Sequence, residues 1–215
     1  MSKTHNGPFE YSPLEEKLNI WTHGAGFIAS VIALLFFCFR ESVTTVATVS
    51  VIIFGLSMCF LYFASTIYHK ETKPKRRNKL KIFDHCAIYI LISGTYTPFT
   101  LVTLEGETGW WIFGISWSIA IVGVILKLFF TGRFDILSTI LYVAMGWLIV
   151  FVYSDLVTNL DPVGVQWLFA GGISYTIGAV LYSISKIPLN HAIFHVFVLG
   201  GTFCHFMSVY FYVGV

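Results

Sequence analysis

The feature that most constrains this chain is a series of seven apolar segments, each long enough to cross a lipid bilayer. About twenty apolar residues span the hydrocarbon core as a helix. The spans are expected at about 21–39, 46–69, 82–103, 110–130, 136–154, 164–185 and 190–213. Only 11% of the residues are charged. Because the connections are short and polar, the sequence predicts an all-α membrane protein with an N-terminal segment at 1–20 and a single seven-helix bundle at 21–215.

The basic residues predict how this bundle is oriented. The connection from Lys70 to Lys81 holds seven of the thirteen lysine and arginine residues. Basic connections are retained on the cytoplasmic side, so residues 1–20 and the N-terminus are expected in the cytoplasm and the C-terminus outside. The same count places most remaining basic residues on the cytoplasmic side: Lys3, Lys17, Lys127, Arg133 and Lys186. We interpret the basic connection as this topology signal, and the net charge of +2 is too small to indicate a nucleic-acid partner.

Ionisable residues inside the apolar segments form a second pattern. Such residues are costly in lipid and are candidates for function. They lie near the ends of four spans: His23, His69, Asp84, His85, His191 and His195. Because successive helices run in opposite directions, all six are expected at the cytoplasmic end of the bundle.

Three of these histidines predict a metal site. His191 and His195 are four residues apart and share one helix face, and His69 can join them from the second span. Three neutral imidazoles favour zinc over magnesium or calcium and leave a fourth position open, as in catalytic zinc sites, so we expect one Zn²⁺ per chain. The four cysteines lie in apolar runs without a Cys-x-x-Cys spacing and are expected to be free thiols. The alternative is that the histidines are hydrogen-bonded packing residues or snorkel to the interface.

Five polar residues are expected around this site. Asp84 is a fourth ligand, a general base for the metal-bound water, or the partner of a lysine in the basic connection. Ser65, one turn deeper on the second helix, donates to a developing oxyanion or bonds back to its own helix. Glu16, Asn19 and His23 share one face of the first helix and are expected to line the same cavity, although Glu16 is also compatible with an ordinary interfacial turn.

Two further histidines are left out of the site. His85 points about 100° away from its neighbour Asp84 around the helix. His205 lies about 15 Å deeper than His195 and is expected to be a hydrogen-bonded core residue. In the third span, Pro98 is expected to kink or end the regular helix.

These residues fall into four motifs that resemble the bacterial hemolysin III family. The motifs are Glu16-x-x-Asn19-x-x-Thr22-His23, Ser65-x-x-x-His69 with the basic connection and Asp84, Ser93-Gly94-Thr95-Tyr96-Thr97-Pro98, and His191-x-x-x-His195. That family is grouped with the progestin and adipoQ receptors and the alkaline ceramidases among seven-helix membrane hydrolases. The resemblance extends from Glu15 to Tyr212 and implies zinc ligation by His69, His191 and His195, with Asp84 and Ser65 close to the metal-bound water.

The leading functional expectation is a zinc-dependent hydrolase in the bacterial inner (plasma) membrane. It would act from the cytoplasmic side on an amide or ester bond of a lipid-like substrate, with membrane lipid as its partner and no particular oligomeric state implied. The alternative is a non-catalytic protein, either a cytolysin of the hemolysin III type or a sensor of membrane state whose zinc is structural. A pore is disfavoured because no polar stripe crosses the predicted spans.

Overall fold

The computed structural model describes residues 11–104, 106–131 and 135–214, and all regular structure within these ranges is helical. The α-helices are α1 Pro13–Phe39, α2 Thr45–Lys70, α3 Pro74–Pro98, α4 Gly106–Phe130, α5 Asp135–Gly146, α6 Tyr153–Asn159, α7 Pro162–Ser183 and α8 Asn190–Tyr212. A π-helix, Phe99–Thr103, continues α3, and a 3₁₀-helix, Leu148–Val152, joins α5 to α6. Lys3, Arg133 and residues 1–10 of the predicted N-terminal segment lie outside the described residues.

Seven helical stretches are long and apolar enough to cross a membrane, which confirms the predicted fold class. The fifth stretch, Ile136–Asn159, contains α5, the 3₁₀-helix and α6 together. The predicted end of α3 is also confirmed, because its regular part ends at Pro98 and the chain continues as a π-helix. Which end of the bundle faces the cytoplasm stays a prediction from the basic residues.

The starts of two helices differ from the sequence prediction. Helix α1 begins at Pro13, within the predicted N-terminal segment, because the Ser12 hydroxyl accepts from the Glu15 N–H at 3.2 Å and Pro13 suits the first helical position. The prediction of a basic loop from Lys70 to Lys81 was wrong: the connection is only 71–73, and α3 begins at Pro74. Hydropathy detects the membrane-embedded part of a helix, so a polar extension beyond it was assigned to the loop.

A tightly packed group of helices holds the core. Helix α2 packs against α1 and α3, while α8 packs against α7 and α1. The largest buried side chains of α2 include Phe54, Met58 and Tyr62. Large apolar side chains on the outer faces of α1, α4 and α5 are exposed, as expected for surfaces in contact with lipid.

This packing brings the starts of α1, α3 and α8 to the end of α2. We call this part of the molecule the histidine end, because it contains His69, His191 and His195. The opposite end is where α1 finishes at Phe39 and α8 finishes at Tyr212.

Candidate metal centre

The three histidines predicted to share a metal ion meet inside the histidine end. Helix α2 contributes His69, and the first two turns of α8 contribute His191 and His195. The Nε2 atom of His191 lies 3.1 Å from Nε2 of His69 and 3.0 Å from Nε2 of His195. All three side chains are buried, and their candidate ligand atoms lie within 4.8 Å of one another. Nitrogen ligands 2.0–2.1 Å from a tetrahedral zinc ion are about 3.4 Å apart, so the cluster has the dimensions to hold one ion.

The outer nitrogen of His69 is fixed by a carboxylate. Its Nδ1 lies 2.8 Å from Oε2 of Glu16, and the amide nitrogen of Asn19 lies 3.4 Å from the same Nδ1. An ionised carboxylate only accepts hydrogen bonds, so Nδ1 of His69 donates to Glu16 and its Nε2 carries the lone pair. Metal-binding histidines characteristically donate their other N–H in this way.

The other two histidines are held in the same manner by hydroxyl groups. Nδ1 of His195 lies 3.3 Å from the hydroxyl oxygen of Thr22, which donates to the Leu18 carbonyl at 2.7 Å and so accepts from the imidazole. Nδ1 of His191 lies 3.2 Å from the hydroxyl of Tyr11, whose ring stacks on that imidazole at 4.5 Å between centroids. All three Nδ1 atoms therefore face partners outside the cluster, and all three Nε2 atoms face inward.

Glu15 positions the first turn of α8, which carries two of the histidines. Its carboxylate accepts from the His191 backbone N–H at 3.1 Å. The residue before the helix, Leu189, is left-handed at φ 58° and provides no side-chain cap. Asn190 ties the same turn to α7 by donating to the Tyr182 carbonyl at 2.7 Å. Glu15 thus satisfies a backbone donor that would otherwise be unpaired in a buried helix terminus.

Arg77 is a site residue that the sequence analysis missed. It is 3% exposed, donates to the second carboxylate oxygen of Glu16, and also donates to the carbonyls of Tyr68 at 3.2 Å and Glu71 at 3.1 Å. The sequence pattern alone places Arg77 in the basic connection that indicates topology. Its position seven residues before Asp84, on the same helix face, is the sequence signal that would have distinguished it from its exposed neighbours.

The turn between α2 and α3 is also ordered by a carboxylate. The backbone N–H groups of Lys73 and Thr72 donate to Glu71 at 2.8 and 2.9 Å. The bond from Lys73, above all, lowers the pKa of Glu71 below its ordinary value. This turn presents the Glu71 carbonyl, to which Arg77 donates.

Asp84 and Ser65 lie together on a wall shared with the histidines. Both are buried, and the Ser65 hydroxyl has no hydrogen-bond partner among the described residues. The charges of Lys81 and Arg77 act on the same carboxyl group. The two residues thus border the cavity that His191 and His195 also line.

His23 lies directly against the cluster. Its ring is parallel to that of His195, with 3.4 Å between centroids and an angle of 4°. The side chain is 3% exposed, and neither ring nitrogen has a hydrogen-bond partner among the described residues. The structure therefore brings Glu16, Asn19 and His23 to the histidines, but only His23 lines the cavity.

The cavity runs from the histidine cluster into the bundle. Its volume is about 170 Å³, and along α8 its lining extends from His191 to His205. A helix rises about 1.5 Å per residue, so this distance is about 21 Å. His205 is hydrogen-bonded at 3.1 Å to the Leu168 carbonyl, in agreement with the expectation of a core histidine. His85, which the sequence analysis left out, lines the cavity together with Lys127.

Comparison with known proteins places these features in a family context. The family described as haemolysin-III related matches residues 11–206. Hemolysin-3 of Bacillus cereus is 46% identical over 201 residues, which cover 93% of this chain and 92% of the relative. The Hemolysin-3 homolog of Bacillus subtilis (strain 168) is 45% identical over 200 residues, which cover 92% and 94% of the two chains. A more distant relative is the monocyte to macrophage differentiation factor of Homo sapiens, 27% identical over 221 residues, with coverage of 96% and 88%.

Proposed function

The chain belongs to the haemolysin-III related family and is a multi-pass membrane protein, and from this premise we propose that it is a zinc-dependent hydrolase of lipid-like amides or esters. The observation that carries the proposal is the convergence of three buried Nε2 atoms at one end of an apolar cavity. A hydrolase for lipids needs both an activating centre and an apolar site for the chain of its substrate.

The donor set fits zinc. His69, His191 and His195 are neutral nitrogen donors, and three such ligands are typical of zinc sites that keep a position open for water or substrate. Zinc bound there would act as a Lewis acid and lower the pKa of a coordinated water to about 7. Glu16, Thr22 and Tyr11 keep the imidazoles oriented by holding their Nδ1 atoms.

Asp84 and Ser65 are the polar side chains that act on water and substrate in this proposal. Asp84 takes the proton of the attacking water as general base and returns it to the leaving group. Ser65 lines the same cavity with a hydroxyl that has no partner among the described residues, which supports a role in donating to the oxyanion that develops on the substrate. The acyl chain of the substrate lies in the apolar cavity along α8.

We place the histidine end at the cytoplasmic side of the bacterial inner (plasma) membrane. The connection between α2 and α3 and the first turns of α3 carry the densest group of basic residues in the chain. Basic residues at this density are retained on the cytoplasmic side. Substrate would then enter from the membrane, with its polar group close to the cytoplasmic surface.

The rival from another class is a non-catalytic protein with a structural zinc, such as a sensor of membrane state. Closed structural zinc sites use four protein ligands, whereas three histidines converge here beside a cavity. Asp84 also lines that cavity, which supports the hydrolase over a metal that only stabilises the bundle.

The test measures turnover of a panel of short-chain lipid amides and esters by the zinc-loaded protein. Asp84→Asn should lower kcat by about 10²–10⁴-fold, the usual contribution of a general base, while the zinc content stays unchanged. Asp155→Asn is the matched control, because Asp155 is exposed at the opposite end. Wild-type activity that survives in Asp84→Asn would refute the role of Asp84, and zinc-loaded wild type without turnover of any substrate would support the sensor.

A further inference from the structure

His205 is a buried imidazole in the membrane-spanning part of α8 that the hydrolase proposal does not use. It lies ten residues after His195, which is about 15 Å along the helix axis, and it lines the cavity at the end distant from the metal centre. The side chain is 7% exposed, and its Nδ1 atom has no hydrogen-bond partner among the described residues. Buried polar atoms are almost always paired in native proteins, so an unpartnered nitrogen on the wall of a cavity points to a ligand.

The hydrogen bond at the other ring nitrogen of His205 fixes the role of Nδ1. Nε2 lies 3.1 Å from the Leu168 carbonyl oxygen, which only accepts, so Nε2 carries the proton. A neutral imidazole has one donor and one acceptor, and Nδ1 is therefore an acceptor. A second proton would place a charge in the apolar interior, where no carboxylate contacts either ring nitrogen in the described part of the chain. The site needs a ligand that donates a hydrogen bond.

Two glycines at the contact between α7 and α8 make room for this site. A Cβ atom on Gly171 would clash with the imidazole of His205, so the ring reaches the Leu168 carbonyl only because residue 171 has no side chain. A Cβ atom on Gly201 would lie 2.8 Å from the ring of Tyr175, whose centroid is 5.3 Å from that of His205. Both aromatic side chains line the cavity. The packing of these two helices thus holds His205 in one orientation.

The hydroxyl groups beside His205 are already bonded to one another. Tyr62 donates to the Thr202 hydroxyl at 2.8 Å, and the hydroxyls of Tyr175 and Thr202 are 2.7 Å apart. Among the described residues that line this end of the cavity, only His205 has a buried side-chain polar atom without a partner. A buried water needs two to four polar partners, so a single nitrogen favours a hydroxyl held in place by an attached chain over a free water.

We propose that Nδ1 of His205 binds a hydroxyl group at the far end of the lipid chain, so that the cavity selects substrates with a hydroxylated chain terminus. A hydroxyl donates to the imidazole, whereas carboxylate, ester and ether oxygens only accept. An ammonium group also donates, but it would bring an unpaired charge into the apolar interior. The assignment to a substrate rests on the proposed hydrolase, but binding of such a chain does not require turnover.

The alternative is that His205 only connects α8 to α7 through the Leu168 carbonyl. A connecting residue would affect stability and would change the affinities for plain and hydroxylated chains equally. A binding residue would change the affinity for the hydroxylated chain alone, and only for chains that are long enough to reach it from the metal centre.

The experiment measures the affinity of the purified zinc-loaded protein for dodecanoate, tetradecanoate and hexadecanoate, each compared with the same acid carrying a hydroxyl on its last carbon. The readout is the ratio of the two affinities at each chain length. In wild type, this ratio should be highest at one chain length. His205→Phe should lower the ratio at that length by about 3–10-fold, because one buried hydrogen bond is lost, while the affinity for the plain acid and the zinc content stay unchanged.

Three further variants protect the test against a folding defect. His205→Gln retains a donor and an acceptor and should retain part of the ratio. Gly171→Ala should lower the ratio, because its Cβ atom displaces the imidazole. Gly172→Ala is the matched control and should leave the ratio unchanged, because its Cβ atom meets Trp147 at an ordinary 3.6 Å.

Three results would overturn the proposal: an unchanged ratio in His205→Phe, equal losses of affinity for plain and hydroxylated acids, or no binding of any of these acids by wild type. The hydrolase is judged by a separate measurement. Zinc-loaded wild type that shows the expected ratio but turns over no lipid amide or ester would keep this binding site and would contradict the hydrolase alone.

Discussion

The two ends of the bundle satisfy their buried polar groups in different ways. At the opposite end, Arg40 donates to the carbonyls of Val209 and Val213, and the Ser208 hydroxyl donates to the carbonyl of Gly164. At the histidine end, ionisable side chains contact one another across helices: Arg77 contacts Glu16, and Glu16 contacts His69. At the opposite end, side chains therefore bond to backbone carbonyls, whereas the histidine end concentrates ionisable groups and nitrogen donors.

This difference indicates that the two ends should respond differently to substitution. A neutral backbone carbonyl that accepts from a side chain leaves no buried charge behind when that side chain is removed. A buried network of ionisable groups is stable only while every member is present, because removal of one leaves an uncompensated charge. We therefore expect substitutions at the histidine end to affect both stability and metal binding, and those at the opposite end to affect stability alone.

The largest effect on stability is expected for Arg77→Met. This substitution leaves the Glu16 carboxylate buried without its cationic partner and removes donors to two carbonyls, so it should cost about 3–5 kcal/mol. The measurement is thermal unfolding of the purified protein in detergent. The double variant Arg77→Met/Glu16→Gln should recover part of the loss, because the unpaired charge is gone. A melting temperature of Arg77→Met equal to that of wild type would show that the network contributes little.

A smaller effect, on metal affinity, is expected for Glu16→Gln. The glutamine cannot fix the Nδ1 proton of His69 as a carboxylate does, and loss of such a partner weakens metal binding by about 10–100-fold. Competition with a chelator measures the zinc Kd. Glu41→Gln, a substitution of an exposed glutamate near the opposite end, is the matched control and should leave the Kd unchanged. Equal Kd values for the two variants would show that Glu16 does not contribute to zinc binding.

The smallest effect is expected at the opposite end, for Arg40→Ala. Arg40 is half-buried and its guanidinium donates to two terminal carbonyls of α8, so its loss should cost about 1–2 kcal/mol. Burial lowers the pKa of Arg40, but an arginine stays protonated over the working pH range. Zinc content should not change. Loss of zinc in Arg40→Ala would contradict the separation of the two ends.

The sequence predicted the helices well because the length of an apolar segment is set by the thickness of the membrane. Seven apolar stretches and the role of Pro98 follow directly from these signals. The starts of α1 and α3 could not be located from hydropathy, because their first turns are polar and extend beyond the membrane-embedded part. Capping by Ser12 and the prolines at positions 13 and 74 were visible in the sequence and would have located both starts.

The convergence of the three histidines could be anticipated because spacing and depth in the membrane are sequence properties. The partners of their Nδ1 atoms could not be anticipated in full. Tyr11 and Arg77 reach the site through helix packing. In the sequence, Arg77 cannot be told apart by composition from the neighbouring basic residues that indicate topology. Lys127 is likewise one of the basic residues that indicate topology in the sequence. Its position on the cavity wall depends on how α4 and α5 pack.

The most direct test of the metal centre is the metal content of the purified protein and of two histidine variants of α8. Wild type should contain about one zinc per chain, and His191→Ala should lose it, because a site with only three protein ligands holds the ion too weakly once one of them is removed. His205→Ala, in the same helix but bonded to the Leu168 carbonyl, should keep the zinc. Equal metal content in wild type and His191→Ala, or no zinc in wild type, would contradict the metal centre at the histidine end.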